Sequence, residues 1–471
     1  MRIGFVSANR EVLPDPVIPL GVMSVMSTLP ERHEKELWDL CFSTDPLAEI
    51  RARIREFKPD LLAIGLRNLQ NNAYSDVSNN LRYYTDLIGA VRMVTRAPIV
   101  LGGGGFSVAP EALMAHLKPD YGIVGEGDYA FPGLVERLDT GAPIDDIPNL
   151  CYFSDREVHR TLGSGAPIDI NNLPIPTRDH VDARYYEAGI ESVQSKRGCA
   201  LRCDYCTYPL IEGRSYRLKD PARFVDEMIE LGRRRAVTHF FIVDSVFTIP
   251  PTHAKAICRE MIRRGIDTPW TCYGNPIGFD ADLAQLMNDA GCAGIEVGSD
   301  SGSDRVLKNL HKGFTAASIQ NFHALCAAKG LKDCHTFILG TQGETLDEVR
   351  ATLRFVADLN PYACILSVWN DDNDIFGGKA AEERAQFRKK VLEVISASQD
   401  LFPYSVVQEL GILFDPLFFR LLRRRGVRGP LWQYIRNAGL SFKGGSHDEI
   451  MGHRSTDRHR RDVGTGRDVH Y

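Results

Sequence analysis

The sequence predicts an α/β protein in which two successive units of parallel β-sheet, each covered by helices, precede a helical carboxyl-terminal region. Short apolar runs of strand length alternate with helical patterns through residues 1–150, and the same alternation returns in residues 191–375. The runs are continuously apolar, which is typical of parallel strands buried on both faces. The chain has 471 residues, of which 44% are hydrophobic, and so can bury more than one core.

Composition disfavours several classes of protein. The 61 acidic and 56 basic residues are interspersed and give a net charge of −5, so no nucleic-acid partner is expected. We expect no transmembrane segment, because no apolar run approaches the roughly 20 residues that span a bilayer. The amino terminus enters a strand pattern without signal-peptide features, and the 11 cysteines show no disulfide framework. These observations predict a reducing, cytoplasmic location.

The first unit is predicted to carry a ligand site at one edge of its sheet. Its strands are expected at residues 3–7, 61–65, 99–101 and 121–124. The loops that follow them contain Leu20, Gly21, Arg67, Asn68, Gly102, Gly103, Gly104, Gly125, Glu126 and Gly127. Glycines at the carboxyl ends of parallel strands let a ligand approach the backbone. Simple turn glycines are one alternative, and a dinucleotide site, whose glycine pattern fails at Ser107, is another.

A cluster of three cysteines opens the second unit. Cys199, Cys203 and Cys206 follow one another at a spacing of Cys-x3-Cys-x2-Cys. Structural zinc sites and Fe–S clusters normally have four protein ligands, so a local trio suggests one open coordination position. A zinc site with a remote fourth ligand and three buried thiols are the alternatives. The strands and helices that follow the trio are not typical of a small zinc domain.

The second unit, after a proline-rich linker at residues 151–190, is predicted to be an incomplete barrel of six strand-and-helix units. Its strands are expected at residues 192–195, 239–243, 270–273, 294–297, 335–339 and 363–368. Chemistry is expected at the carboxyl ends of these strands. Polar residues and glycines stand there, namely Asp244, Asn275, Gly298, Asp300, Ser301, Gly340 and Gln342.

The cysteine loop, with aromatic Tyr205 before its third cysteine, resembles that of radical S-adenosylmethionine (SAM) enzymes. The resemblance implies that the three cysteines hold a [4Fe–4S] cluster and that SAM occupies the fourth iron. It also implies SAM binding by Tyr205 and the seven strand-end residues, although aspartate at 300 and glutamine at 342 depart from the usual glutamate and proline. The chemistry implied is reductive cleavage of SAM to a 5′-deoxyadenosyl radical, with an electron donor such as flavodoxin or ferredoxin.

The order of the two units resembles a subfamily in which a Rossmann-like cobalamin-binding domain precedes the radical SAM barrel. This resemblance implies that the ten loop residues of the first unit bind cobalamin. The Asp-x-His-x-x-Gly motif that supplies a lower histidine ligand in many cobalamin proteins is absent from the chain. Methylation of an unactivated carbon in a small-molecule or lipid substrate is the activity implied. A cobalamin-dependent radical cyclase or rearranging enzyme, and a non-catalytic corrinoid or cluster sensor, are the alternatives.

The end of the chain carries no family resemblance. The acidic residues 371–374 are expected to form a solvated loop, with a divalent-metal site or a contact with a cationic substrate group as the alternatives. Residues 376–443 are predicted to be helical, and residues 444–471, rich in glycine, aspartate, arginine and histidine, to be disordered.

Overall fold

The computed structural model describes residues 1–12, 15–70, 79–163, 168–234, 237–398, 406–408 and 422–434. The predicted disordered tail at residues 444–471 and much of the predicted helical region lie outside these residues. Among the described helices, none combines the length and apolar character that crossing a bilayer requires.

The first sheet has seven strands in the order β2-β1-β3-β4-β5-β6-β7. These are β1 (Arg2–Ser7), β2 (Glu34–Asp39), β3 (Leu61–Gly65), β4 (Ile99–Gly102), β5 (Tyr121–Ile123), β6 (Leu150–Ser154) and β7 (Glu157–Arg160). The first five strands are parallel, whereas β6 and β7 pair antiparallel at one edge. The helices around them are α1 (Leu20–Ser27), α2 (Pro46–Phe57), α3 (Leu81–Arg92), α4 (Gly104–Val108), α5 (Pro110–Leu117) and α6 (Ala130–Thr140).

Both faces of this sheet are buried, as the continuous apolar runs predict. Leu62 and Ile64 belong to the core cluster on one face, and Leu61 belongs to the cluster on the other. The four predicted strands are present, but the pattern missed β2, an edge strand that opens with three charged residues and contains only two apolar ones. It also assigned β6 and β7 mostly to the linker. We therefore propose that the first unit extends to about residue 160 and that the linker begins there.

The second sheet also has seven strands, all parallel, in the order β16-β15-β14-β13-β12-β11-β8. A two-stranded ribbon, β9 with β10, lies outside it. The strands are β8 (Ile190–Val193), β9 (Lys196–Arg197), β10 (Arg217–Leu218), β11 (His239–Ile242), β12 (Trp270–Gly274), β13 (Cys292–Asp300), β14 (Asp333–Leu339), β15 (Ala363–Val368) and β16 (Val406–Gln408).

The second sheet forms the expected partial barrel, and most of its helices cover its outer face. The helices are α7 (Tyr208–Glu212), which lies instead against the first unit, α8 (Pro221–Arg234), α9 (Pro251–Arg264), α10 (Ala281–Asp289), α11 (Asp304–Asn309), α12 (Ala316–Ala328), α13 (Leu346–Leu359) and α14 (Lys379–Ala397), with 3-10 turns at Ala183–Tyr186 and Asp372–Phe376. The six predicted strands are present. The seventh, β16, lies within residues predicted to be helical, because three residues are too few to show a strand period. The acidic stretch at 371–374 falls largely in a 3-10 turn.

Candidate active site between the two sheets

A cavity of about 670 Å³ lies between the carboxyl edge of the first sheet and the interior of the second. This volume is within the roughly 300–1,000 Å³ typical of small-molecule sites. Its walls include Gly21 and Arg67 from the first unit and Phe241, Tyr273 and Glu296 from the second. Residues from both units therefore face one shared cavity.

The glycines at the edge of the first sheet have two structural roles besides lining this cavity. Gly103 has φ +91°, and a Cβ there would stand 2.6 Å from the Leu66 carbonyl oxygen, so a tight turn requires glycine. A Cβ at Gly125 would stand 3.1 Å from the carbonyl oxygen of Ile211, which belongs to α7 of the second unit. The turn-glycine alternative thus accounts for part of the pattern, because these glycines also let the two units approach each other.

The cysteine loop runs from the β9–β10 ribbon to α7 and is tied down by backbone hydrogen bonds. The Cys199 N–H donates to the Gly213 carbonyl at 3.0 Å, and the Cys206 N–H donates to the Cys203 carbonyl at 3.2 Å. Cys199 is buried, while the other two cysteines are partly exposed. Burial raises the pKa of the Cys206 thiol to about 11, so ionisation of this thiol is favoured only when a cationic partner such as a metal centre is bound.

The spacing of the three thiols does not fit a single zinc ion. Sulfur ligands around one tetrahedral zinc, each at about 2.3 Å from the metal, stand about 3.8 Å apart. Among the described residues, the sulfurs of the three cysteines do not all lie within 4.8 Å of one another. The potential ligand atoms of His323, Asp333 and His335 do. A wider centre, in which each sulfur binds a different metal atom, fits the loop better.

Tyr205 joins the cysteine loop to the end of β13. Its hydroxyl donates to Asp300 Oδ2 at 2.5 Å, and Lys312 Nζ lies 2.6 Å from the same oxygen and 3.0 Å from the hydroxyl. Asp300 and Lys312 are both buried. Burial lowers the pKa of Lys312, but the Asp300 carboxylate, together with Cys203 and Cys206, outweighs it and leaves that pKa raised. The loop is thus fixed against the sheet by a buried, charge-assisted network.

An ionic contact joins the two units beside this loop. Arg197, two residues before Cys199, donates to Glu126 Oε1 at 3.0 Å and to Asp128 Oδ2 at 2.7 Å. Arg217 on β10 donates to the second oxygen of Glu126 at 2.5 Å. The ribbon that carries the cysteine loop is therefore held to the loop after β5.

Two family models match the chain over these same regions. The B12 binding domain matches residues 6–135, and the Radical SAM superfamily matches residues 193–356. The chain belongs to the cobalamin-dependent radical SAM enzymes. The predicted family, fold class and cofactors, namely SAM, a [4Fe–4S] cluster and cobalamin, are thereby confirmed.

Relatives of this radical SAM enzyme include named methyltransferases. An uncharacterized methyltransferase of Pyrococcus horikoshii is 27% identical over 360 residues, 75% of this chain and 76% of its own. Tryptophan 2-C-methyltransferase of Streptomyces laurentii is 25% identical over 419 residues, 73% of this chain and 68% of its own. The structure of the radical SAM methyltransferase TsrM from Kitasatospora setae, with tryptophan and a SAM analogue bound, has 27% identity and a TM-score of 0.71, covering 78% of this chain and 72% of that one.

The first unit of this radical SAM enzyme has room for a bound group at the edge where cobalamin is expected. Nine of the ten predicted residues line the cavity; the exception is Asn68, whose carbonyl accepts the Tyr84 hydroxyl at 2.6 Å. At Gly21 a Cβ would meet no atom within 4 Å, and at Gly102 only one carbonyl oxygen at 3.8 Å. The open space beside these residues fits a bound group. Their assignment as cobalamin contacts stays a prediction.

Apart from Tyr205 in the cysteine loop, the predicted SAM residues lie at the ends of four successive strands, but several are occupied by contacts within the protein. Asp244 accepts the Ser195 hydroxyl at 2.5 Å. Ser301 bonds to Thr352 on α13 at 3.0 Å, and Gln342 is exposed. The remaining members are each held locally: Asn275 accepts the Ile277 N–H, the Gly340 N–H donates to Glu344, and Gly298 lies beside Asp300 and Lys312. Tyr205 and Asp300 share a direct hydrogen bond, and SAM binding by the whole set stays a prediction.

Sequence analysis missed three residues of the site. Arg197 and Asp128 form the contact between the units, and each stands in a charged stretch typical of solvated surface. Glu296 faces the cavity from β13, and its signal was present: within the predicted strand at 294–297 it is the one charged residue.

Proposed function

We propose that this enzyme transfers a methyl group from SAM, by way of cobalamin, to an unactivated carbon of a small molecule. The observation that carries the proposal is the cavity, whose walls come from the predicted cobalamin loops on one side and the barrel interior on the other. A substrate in this cavity lies between the predicted cobalamin loops and the barrel interior, where the cluster and SAM are expected. The named methyltransferases among the relatives support methylation over cyclisation.

Within this proposal, Cys199, Cys203 and Cys206 hold the [4Fe–4S] cluster. When bound, the cluster and SAM supply the radical that removes hydrogen from carbon, and cobalamin supplies the methyl group. The residues of the chain position the cluster and exclude water. Tyr205, held by Asp300 and Lys312, fixes the position of the cysteine loop, and the apolar barrel wall keeps water from the reacting carbon.

The contact between Arg197 and Asp128 sets the separation of the two units. Reaction geometry tolerates little displacement, since reacting atoms must lie within about 3–3.5 Å of each other. We infer that this contact aligns the cysteine loop with the first sheet. We also propose that the enzyme works in the cytoplasm, where a flavodoxin or ferredoxin reduces the cluster.

Transfer of a labelled methyl group tests the proposal. The anaerobically reconstituted protein is incubated with dithionite, trideuteromethyl-SAM and the low-molecular-mass fraction of an extract of the source cells, and products are compared by mass spectrometry. We expect a product that carries the labelled methyl group on carbon. Cys203→Ala should form none, whereas Cys326→Ala, which changes a buried cysteine on α12, should retain activity. An unlabelled isomer or cyclised product would support the cyclase alternative, and no product that depends on Cys203 would contradict catalysis of either kind.

A further inference from the structure

Glu296 is a carboxylate inside the barrel. Its neighbours on β13, Ile295 and Val297, are fully buried in the core between the sheet and the helices. Side chains alternate along a strand, so Glu296 points to the inner face, where it lines the cavity. There it pairs in register with Tyr273 on β12 and Cys334 on β14.

Glu296 has one hydrogen-bond donor within the part of the chain that the structure describes. The indole N–H of Trp432 donates to Glu296 Oε1 at 2.9 Å. No lysine, arginine or histidine among the described residues lies within ion-pair distance of Glu296, and Oε2 accepts no hydrogen bond from them. One oxygen of this carboxylate is therefore free to accept from a ligand in the cavity.

The Trp432 contact is a built feature of the barrel. A Cβ at position 294 would stand 2.3 Å from Cη2 of Trp432, so Gly294, two residues before Glu296, makes room for the indole. Trp432 is only 1% exposed, and its ring lies 6.1 Å from that of Tyr362. The indole donor is consequently held in one place beside the carboxylate.

A carboxylate in such a place is costly without a cation. Burial raises the pKa of Glu296 to about 7, and the Trp432 hydrogen bond offsets this only in part. An ionised group removed from water is stabilised when an opposite charge and further hydrogen bonds accompany it. Within the described residues the protein supplies one neutral donor and no cation at ion-pair distance, and Glu296 faces the cavity, from which a cationic partner can bind.

The surrounding walls fit an apolar body that carries this cation. Phe241 and Tyr273 line the cavity next to Glu296, with ring centroids 5.1 Å apart in an edge-to-face arrangement. Aromatic faces attract cations and also pack against apolar groups. A purely apolar lipid tail would leave the carboxylate without a partner.

We propose that Glu296 binds the ammonium group of the substrate, and that the substrate is accordingly a primary amine with an aromatic or otherwise apolar body. This inference rests on the proposed function, because it names the substrate class for the same cavity. Glu296 is assigned to binding and orientation, and no proton transfer is required of it.

A pair of probes matched in size tests the amine site. Anaerobic calorimetry on the holoprotein compares 2-phenylethylamine, which is cationic, with 3-phenylpropan-1-ol, which is neutral. A charge-assisted contact predicts that the wild-type protein binds the amine about 10- to 100-fold more tightly than the alcohol. Glu296→Gln keeps the size of the side chain but removes its charge, and should abolish this preference. Glu260→Gln, which changes a surface glutamate paired with Arg263, should leave it unchanged.

The outcomes separate this inference from the proposed function. Equal affinity for the two probes, no binding of the amine by the wild-type protein, or an undiminished preference in Glu296→Gln overturns the amine site. If Glu296→Gln does not fold, Glu296→Asp, which withdraws the carboxylate by one methylene, should weaken the preference. A retained amine preference without methyl transfer to any amine supports the amine site and contradicts methylation. Labelled methyl transfer to neutral acceptors that survives in Glu296→Gln contradicts the amine site alone.

Discussion

Arg197 donates a hydrogen bond to Asp128 across the boundary between the two sheets, with 2.7 Å between Nη1 and Oδ2. Asp128 is buried, and it also accepts the Ser24 hydroxyl at 2.6 Å. The contact thus joins the ribbon before the cysteine loop to the edge where cobalamin is expected. Two cofactor regions that are far apart in sequence are held in one geometry.

Removing the arginine from this pair should destabilise the protein. Arg197→Ala leaves buried Asp128 without its cation, although Glu126 keeps Arg217, and breaking a buried pair in this way costs about 3–5 kcal/mol. Arg184→Ala breaks an exposed pair with Asp182 and should cost less than about 1 kcal/mol. Thermal unfolding of the three proteins measures the difference, and cobalamin affinity should fall in Arg197→Ala only. Equal melting temperatures for the two variants would contradict this role.

A methyl group at Gly125 should disturb the same boundary. Gly125 has φ +78°, and its Cβ would approach the Ile211 carbonyl of α7, so Gly125→Ala should cost about 1–2 kcal/mol from backbone strain alone. Gly133→Ala is the matched control, because position 133 lies within α6 and a Cβ there meets no atom within 4 Å. That change should stabilise the helix by up to about 1 kcal/mol. Urea unfolding curves measure the change in the free energy of unfolding for both variants. If Gly125→Ala is as stable as the wild-type protein, the packing of α7 on this loop is contradicted.

The local parts of this architecture follow from sequence, and the contacts between distant segments do not. The cysteine spacing and the apolar runs of the central strands depend on neighbouring residues, so a pattern shows them. The edge strand β2 was not predicted because its exposed face carries charged residues. The pair of Arg197 and Asp128 depends on how two sheets are placed, which no local pattern contains. Ser301 illustrates the opposite error, since its strand-end position predicts a ligand contact while its hydroxyl bonds to Thr352.

The titration of Glu296 should appear in the pH dependence of stability. Its pKa in the folded protein is raised to about 7 from an ordinary value of 4.5. The folded state therefore holds this proton more tightly than the unfolded chain does. The protonated carboxyl group contributes its full stabilisation below about pH 4.5, and this stabilisation is lost as the pH rises through about 7. Between these values the loss reaches up to about 3 kcal/mol. The stability of the cofactor-free wild-type protein, relative to Glu296→Gln, should thus be lower at about pH 8 than at about pH 5. A constant difference in melting temperature between the two proteins would contradict the raised pKa.

His323, Asp333 and His335 should act as a hydrogen-bonded network and not as a metal site. Asp333 Oδ2 bonds to His323 at 2.5 Å and to His335 at 3.0 Å, and the other ring nitrogen of His335 bonds to Ser299 at 2.7 Å. Both nitrogens of His335 are thereby occupied. Asp333→Asn should lower the free energy of unfolding by about 1.5–3 kcal/mol, because the two histidines lose the carboxylate to which both are hydrogen-bonded. Dialysis against a chelator should leave the melting temperature of cluster-free protein unchanged, and a fall in that temperature would indicate a bound metal instead.

The most direct test of the account is electron paramagnetic resonance of the reduced, anaerobically reconstituted protein before and after addition of SAM. Three thiolates that leave one iron open predict a [4Fe–4S]⁺ signal whose g-values change when SAM binds. This signal should be absent from Cys199→Ala, Cys203→Ala and Cys206→Ala. A cluster signal that SAM leaves unchanged, or a protein that carries zinc and no cluster, would contradict the account.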